Sequence, residues 1–235
     1  MVKMDPSLSR SITHPQVTAF LDGLVPARSG ILQELEQEAA ASRIPIITPQ
    51  SASLLELLIR LTESRRILEV GTAIGYSALL FSLAAGDNSQ VITIERNPEL
   101  VAIARGHIQR AGRSHCIEIK GGDATEVLPR LSPSFDLIFL DGAKGHYLQM
   151  LDDCLRLLKP GGLLISDNIL FRGMVASDQL VKRRKRTIVN RMRRYLKTIT
   201  THPALQTSLL SVGDGMAVSL KTTAETLPQG KGIRP

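Results

Sequence analysis

The spacing of apolar positions along the chain changes once, near Arg66. Before that point apolar residues recur every three to four positions, the period of a helix with one buried face. Two short amphipathic segments, Pro15 to Leu24 and Gly30 to Ser42, are followed by a third that opens with Thr48-Pro49. Threonine at an N-cap followed by proline in the first turn is a helix start. Leu54, Leu55, Leu57, Leu58 and Leu61 then give that helix a broad apolar face. The spacing predicts three helices over 14–63.

Beyond Arg66 the pattern becomes short apolar runs rich in β-branched residues, separated by helical stretches. The predicted strands are 67–70, 91–94, 116–119, 137–140 and 163–166, with helices over 74–86, 98–111, 124–131 and 147–158. Such alternation implies βαβ units and a parallel sheet covered on both faces. Gly161-Gly162 after Lys159-Pro160 reads as a helix stop before the fifth strand. A long helix is expected from Gln179 to Thr201, then strands over 206–211 and 216–220 joined by Gly213-Asp214-Gly215, a loop suited to an antiparallel hairpin. The expectation is a single α/β domain over 1–222: N-terminal helices over 14–63, and a core over 64–222 whose seven-stranded sheet is mostly parallel. The Gly/Pro/Lys-rich residues 223–235 are expected to be disordered.

Composition narrows the setting. The chain has 235 residues, 43% of them hydrophobic and 22% charged, as in ordinary globular proteins. No apolar run approaches the roughly 20 residues that span a bilayer, and Met1 to Arg28 lacks the plan of a signal peptide. Cys116 and Cys154 are the only cysteines, too few for a disulfide framework or a zinc cage. Cytoplasm is therefore the expected compartment, with no membrane partner.

Chemistry collects at the predicted strand ends. The first strand leads into Glu69-Val70-Gly71-Thr72-Ala73-Ile74-Gly75-Tyr76-Ser77, a glycine turn at the sheet edge where open α/β folds bind ligands. Ser77, near the helix start, is placed to help hold a carboxylate. Glu95 ends the second strand and suits a ribose diol; Asp123-Ala124 follow the third and suit an adenine edge. The glycine spacing G-x-x-x-G lacks the pyrophosphate cradle G-x-G-x-x-G of nicotinamide-binding folds. A structural reading of each glycine, with Gly75 serving helix packing, remains open. The fourth strand ends in Asp141-Gly142-Ala143-Lys144-Gly145-His146-Tyr147 and the fifth in Asp167-Asn168. As neighbours in a parallel sheet, Asp141, Asp167 and Asn168 converge into a hard-oxygen site that suits Mg²⁺, Mn²⁺ or Ca²⁺.

These motifs, with the closing G-D-G-M-A-V-S-L, resemble those of the metal-dependent O-methyltransferases of the catechol and caffeoyl-CoA type over about residues 40–221. The resemblance implies a Rossmann-like methyltransferase fold and transfer of a methyl group from S-adenosylmethionine to oxygen. It implies that Glu69, Gly71, Ser77, Glu95, Asp123, Ala124 and Asp141 bind the cofactor. Asp141, Asp167 and Asn168 would bind the metal, and Lys144 would be the catalytic base; a solvated loop lysine is the plain alternative. His146 departs from the asparagine usual in the plant enzymes and inherits no role. Tyr147 reads as core packing. A homodimer is implied, with the first helices as interface material.

Charge changes the expected substrate. The formal net charge is +7, and nine cations fall within the 16 residues from Lys182 to Lys197. No acidic residue lies between Asp178 and Asp214. A solvated helix face usually mixes both signs; a face of one sign points to a polyanion. Arg183, Arg184, Arg186, Arg191 and Arg194 are the expected RNA contacts. The sequence is most similar to the bacterial branch that methylates 5-hydroxyuridine at the tRNA wobble position. An anticodon loop offers an unpaired base and phosphates. Tyr76, Tyr147 and Phe171 are the candidates for base stacking, in a chain only 3% aromatic. Two alternatives stand beside this: a catechol-type small-molecule enzyme whose basic helix serves solubility or an acidic conjugate, and a non-catalytic RNA-binding module that kept the fold.

Overall fold

The computed structural model describes residues 12–132 and 134–222; the expected disordered tail lies outside them. Seven strands form one sheet in the order β3-β2-β1-β4-β5-β7-β6. They are β1 (Arg66–Val70), β2 (Gln90–Glu95), β3 (Ile117–Gly121), β4 (Phe135–Leu140), β5 (Leu158–Asp167), β6 (Leu205–Leu210) and β7 (Met216–Lys221). The first five run parallel, and β7 pairs antiparallel with both β5 and β6. The α/β class, the Rossmann-like sheet and the closing hairpin all match the sequence expectation.

The strands read as continuous apolar runs because helices cover both faces. Leu137 and Phe139 of β4 pack into one core, with Ile67 and Ile165. Ile138 and Leu140 of the same strand pack into the other, with Leu68 and Leu164. The first core lies beneath α2 (Ile31–Ser42), α3 (Pro49–Leu61) and α4 (Tyr76–Ala85). The second lies beneath α6 (Ala124–Val127), α7 (Tyr147–Leu157) and α8 (Arg186–Thr201). Thr48 caps α3 as predicted, its side chain accepting from the Ser51 amide. The remaining helices are α1 (Pro15–Leu24) and α5 (Pro98–Arg110).

Two expectations need correction. The helix predicted from Gln179 begins only at Arg186; short 3₁₀ turns at Asp178–Leu180 and Arg183–Lys185 precede it. A run of cations opposes the positive end of the helix dipole, so Lys182 to Lys185 are poor material for a first α-helical turn. Gly161-Gly162 does not stop a helix either. α7 ends at Leu157 without a glycine cap, and both glycines lie inside β5, where the pairing with β4 shifts between Phe135 and Leu137. A Cβ on Gly162 would stand 2.8 Å from the Asp136 carbonyl oxygen, so the close strand approach explains that glycine.

The strand order turns around between β1 and β4. At this switch point a crevice opens at the carboxyl edge of the sheet.

Candidate active site

A cleft of about 510 Å³ opens at that edge, lined among others by Gly71, Glu95, Asp141, Lys144, Asp167 and Asn168. The strand ends thus bring together residues 97 positions apart in the chain. Tyr147 fixes the two strands that matter most: its buried hydroxyl donates to the Leu140 carbonyl at 2.8 Å and sits 3.3 Å from that of Asp167. It is core packing, as expected, and it also clamps the ends of β4 and β5.

The polar floor of the cleft carries excess negative charge. Asp167 is 3% exposed, and burial together with the Asp141 carboxylate pushes its carboxyl up to about 7. Lys144 Nζ touches Asn168 Oδ1 and lies 3.8 Å from Asp141 Oδ1. The ammonium therefore stands where two carboxylates and an amide oxygen call for positive charge. Among the described residues no three Asp, Glu, His or Cys side chains gather as a metal cage; the donors here are two carboxylates and one amide. All are hard oxygens, and the set fits a hard divalent cation.

The backbone at the cleft is held in unusual conformations. Ala73, Asn168, Phe171 and Arg172 line it with φ of 45°, 56°, 46° and 57°. Left-handed non-glycine residues cost energy and cluster where a site requires them. Gly71 has φ of 108°, and a Cβ there would meet the Gly142 amide nitrogen at 2.8 Å. Its missing side chain lets the loops after β1 and β4 touch. Gly75 is the structural glycine that the sequence allowed: its nearest neighbour is Ala104 of α5, at 3.3 Å.

On the cofactor side Glu69 is fully buried. One oxygen accepts from the Thr93 hydroxyl at 2.6 Å, while Oε1 has no hydrogen-bond partner. Burial raises its carboxyl to about 7, against the pull of the Ser77 and Thr93 hydroxyls. Ser77 lines a smaller adjoining pocket with Ile47 and Asp141. Glu95 accepts from the Ala73 and Asn97 amides at 3.0 and 2.9 Å, which holds its carboxylate at the cleft wall. Asp123 caps α6, its Oδ1 accepting from the Thr125 amide and hydroxyl, and these bonds lower its pKa. Asp123 and the buried Ala124 stand beside the cleft lining, not within it. A crevice walled by Gly71 and the Glu95 carboxylate fits a nucleoside; Glu69, with its unpartnered oxygen, is buried behind it and lines neither pocket.

Comparison with known proteins agrees. The model of the O-methyltransferase family matches residues 25–222. The chain belongs to this family. A catechol O-methyltransferase of Niastella koreensis is 29% identical, the match covering 92% of this chain and 99% of that one. One of Mycobacterium tuberculosis is 30% identical, covering 88% and 95%. The solved O-methyltransferase from Bacillus cereus in complex with SAH superimposes with a TM-score of 0.77 at 27% identity, over 88% of this chain and 97% of that one. The protein is thus an S-adenosylmethionine-dependent O-methyltransferase of the catechol and caffeoyl-CoA type.

The cationic segment adjoins the loops of the O-methyltransferase cleft through Lys185 beside Phe171 and Arg191 on the Gly145 carbonyl, and most of it is exposed. Arg183, Arg184, Arg186, Arg191 and Arg194 all face solvent. Arg193 does not share that freedom: it pairs with Asp178 at 2.7 Å and donates to the carbonyls of Met174 and Val175. Lys185 Nζ lies 5.8 Å from the centre of the Phe171 ring, at the cleft mouth. Of the three stacking candidates only Phe171 is open to a base. Tyr76 is 2% and Tyr147 1% exposed, each packed in a core, so neither presents a ring to a ligand.

Sequence reasoning missed three residues of the O-methyltransferase site. Asp214 lines the cleft, accepts from the Arg172 amide at 2.5 Å, and has its carboxyl raised by burial. Arg172 and Arg43 line it as well. The hairpin signal Gly213-Asp214-Gly215 drew attention to the turn and hid the carboxylate inside it. Among the described residues no helix is long and apolar enough to cross a membrane.

Proposed function

We propose that this O-methyltransferase uses a divalent cation held by Asp141, Asp167 and Asn168, and that its acceptor is 5-hydroxyuridine at the tRNA wobble position. The observation that carries the reading is the pairing of two features: a cation-demanding oxygen cluster at the cleft floor, and a cationic segment that adjoins the cleft loops at Phe171 and Gly145 and in which, among the described residues, only Arg193 has an acidic partner.

The residues divide the work. Glu95 holds the ribose of S-adenosylmethionine, Asp123 and Ala124 meet its adenine, and Gly71, Ser77, Glu69 and Asp141 receive its amino-acid end. Asp141, Asp167 and Asn168 would hold a Mg²⁺ or similar ion, which would supply Lewis acidity toward the acceptor hydroxyl. Lys144, beside that site, would pass its own proton to solvent and then accept the hydroxyl proton as the methyl group moves in line from the sulfonium to the oxygen, leaving S-adenosylhomocysteine. The 5-hydroxyl and 4-carbonyl of hydroxyuridine are adjacent oxygens, as in a catechol. Phe171 stacks on the splayed base, and Arg183, Arg184, Arg186, Arg191 and Arg194 hold phosphates of the anticodon loop. The catalytic groups are intact, which disfavours a non-catalytic RNA-binding module.

A homodimer through the N-terminal helices belongs to the same proposal. None of the α1 residues is buried, and Phe20 and Leu24 are 67% and 64% exposed.

The names of the two bacterial relatives favour a second reading, a small catechol as acceptor. One assay separates the two: methyl transfer from labelled S-adenosylmethionine to tRNA from a strain lacking this protein, beside a free catechol. Labelling of tRNA that falls steeply with salt supports the first reading, because phosphate contacts release counterions. Salt-insensitive labelling of the catechol alone supports the second.

A further inference from the structure

Two hollows lie along α8 outside the catalytic cleft; of their lining only Arg191 and Arg194 have a part in the scheme above, as phosphate contacts. The first, of about 310 Å³, lies between the start of α7 and α8 and is lined by Gly145, His146, Gln149, Arg191 and Arg194. The second, of about 420 Å³, continues from it: Arg194 is shared, and Lys197, Thr198 and His202 complete its wall. From Arg191 to Thr201 a helix rises about 15 Å, so the two hollows form a track longer than one nucleotide.

The chemistry of the lining is that of an anion site flanked by hydrogen-bonding groups. Arg194 and Lys197 make no ion pair among the described residues, whereas Arg193 on the same helix is spent on Asp178. Helix α8 is therefore sorted by face: Arg193 anchors the loop before it, Arg191 reaches the Gly145 carbonyl, and Arg194 and Lys197 keep no ion-pair partner among the described residues. His146 and Gln149 bring ring nitrogens and an amide to the same hollow, the groups that pair with exposed base edges in single strands.

The first hollow is also wired to the catalytic loop. Arg191 Nη1 donates to the Gly145 carbonyl at 3.3 Å, and Gly145 follows Lys144 directly. A Cβ on Gly145 would lie 3.6 Å from that guanidinium. A phosphate bound by Arg191 and Arg194 thus presses on the loop that carries the base.

We infer that this track is a second nucleotide subsite, which holds the phosphate and base next to the methylated nucleotide and helps set Lys144. The inference rests on the RNA reading given above. It adds that recognition extends along α8 to the α7 side of the cleft, so that the enzyme reads a flanking nucleotide as well as the target.

The test uses the full-length enzyme with an anticodon stem-loop bearing 5-hydroxyuridine, and the free nucleoside as comparison. Arg194→Gln and Lys197→Gln are expected to raise KM for the stem-loop about tenfold each, the scale of a lost charge-assisted hydrogen bond. Each should also lower the salt slope of stem-loop binding by about one. For Lys197→Gln, turnover of the nucleoside and affinity for S-adenosylhomocysteine should not move. Arg191→Gln should lower kcat for the stem-loop as well as raise KM. Arg105→Gln, on exposed α5, controls for lost charge and should change nothing. A stem-loop KM unaltered by the Lys197 change overturns the subsite while leaving the substrate reading intact. A wild-type enzyme that leaves the stem-loop unmethylated overturns both.

Discussion

The Lys144 ammonium rests on the Asn168 amide oxygen, at the meeting point of β4 and β5. This contact joins the two strand ends through the group that the mechanism needs as a base. It also occupies the position that the Asp141 and Asp167 carboxylates reserve for positive charge. In the proposed mechanism base and cation site are one piece of geometry, so a change to either is expected to be felt by both.

Replacing Lys144 by methionine removes the proton acceptor and keeps the alkyl stem. kcat is expected to fall by about 10²–10⁴. Affinity for S-adenosylhomocysteine, measured by calorimetry, should stay close to that of the wild type. A variant with normal kcat would return Lys144 to the status of a solvated loop residue.

The buried Glu69 makes stability depend on pH in a definite direction. Its carboxyl is raised from 4.5 to about 7 by burial, so the folded chain holds a proton that the unfolded chain releases earlier. The stabilisation this gives is complete below about pH 4.5 and is lost as pH rises through about 7. Asp167, also raised to about 7, acts in the same sense. Thermal melts of the ligand-free protein should show Tm falling from pH 5 to pH 8, with a shallower fall in Glu69→Gln. Identical slopes would contradict the burial argument.

Gly71→Ala tests the contact between the cofactor loop and the β4 loop. The added methyl group meets the Gly142 amide nitrogen at 2.8 Å on a backbone with φ of 108°. A loss of about 1–3 kcal/mol is expected in urea unfolding, together with weakened cofactor binding, because the loop must move away from β4.

Tyr147→Phe removes the hydroxyl that bridges the Leu140 and Asp167 carbonyls. Leaving buried carbonyls short of a donor costs about 1–3 kcal/mol. The ends of β4 and β5 lose their clamp, so the concentration of Mg²⁺ needed for half-maximal activity should rise. Unchanged stability with unchanged Mg²⁺ response would show that packing alone holds the strands.

Much of this architecture was legible in the chain because burial on both faces writes strands as unbroken apolar runs. The convergence of Asp141, Asp167 and Asn168 at one edge followed from strand ends in a parallel sheet. Three things did not follow. The start of α8 depended on an electrostatic conflict between a cationic run and a helix N-terminus, which apolar spacing does not register. The glycines in β5 answered a close approach by β4, a tertiary demand that imitates a helix stop. Asp214 entered the site through a hairpin whose turn signal is the same whether its acid faces water or a cleft. Tyr147 is buried as its core-packing reading implied, and the burial of Tyr76 was likewise set by packing, which left Phe171 as the open ring.

Dependence on a divalent cation tests the central claim most directly. The enzyme is stripped with EDTA, and methyl transfer to a hydroxyuridine stem-loop and to a catechol is followed as Mg²⁺ is returned, for the wild type and for Asp167→Asn. The account predicts that stripping abolishes transfer, that Mg²⁺ restores it in the wild type, and that the variant needs far more Mg²⁺ or stays inactive. Full activity in EDTA, with the variant equal to the wild type, would contradict a cation site at Asp141, Asp167 and Asn168.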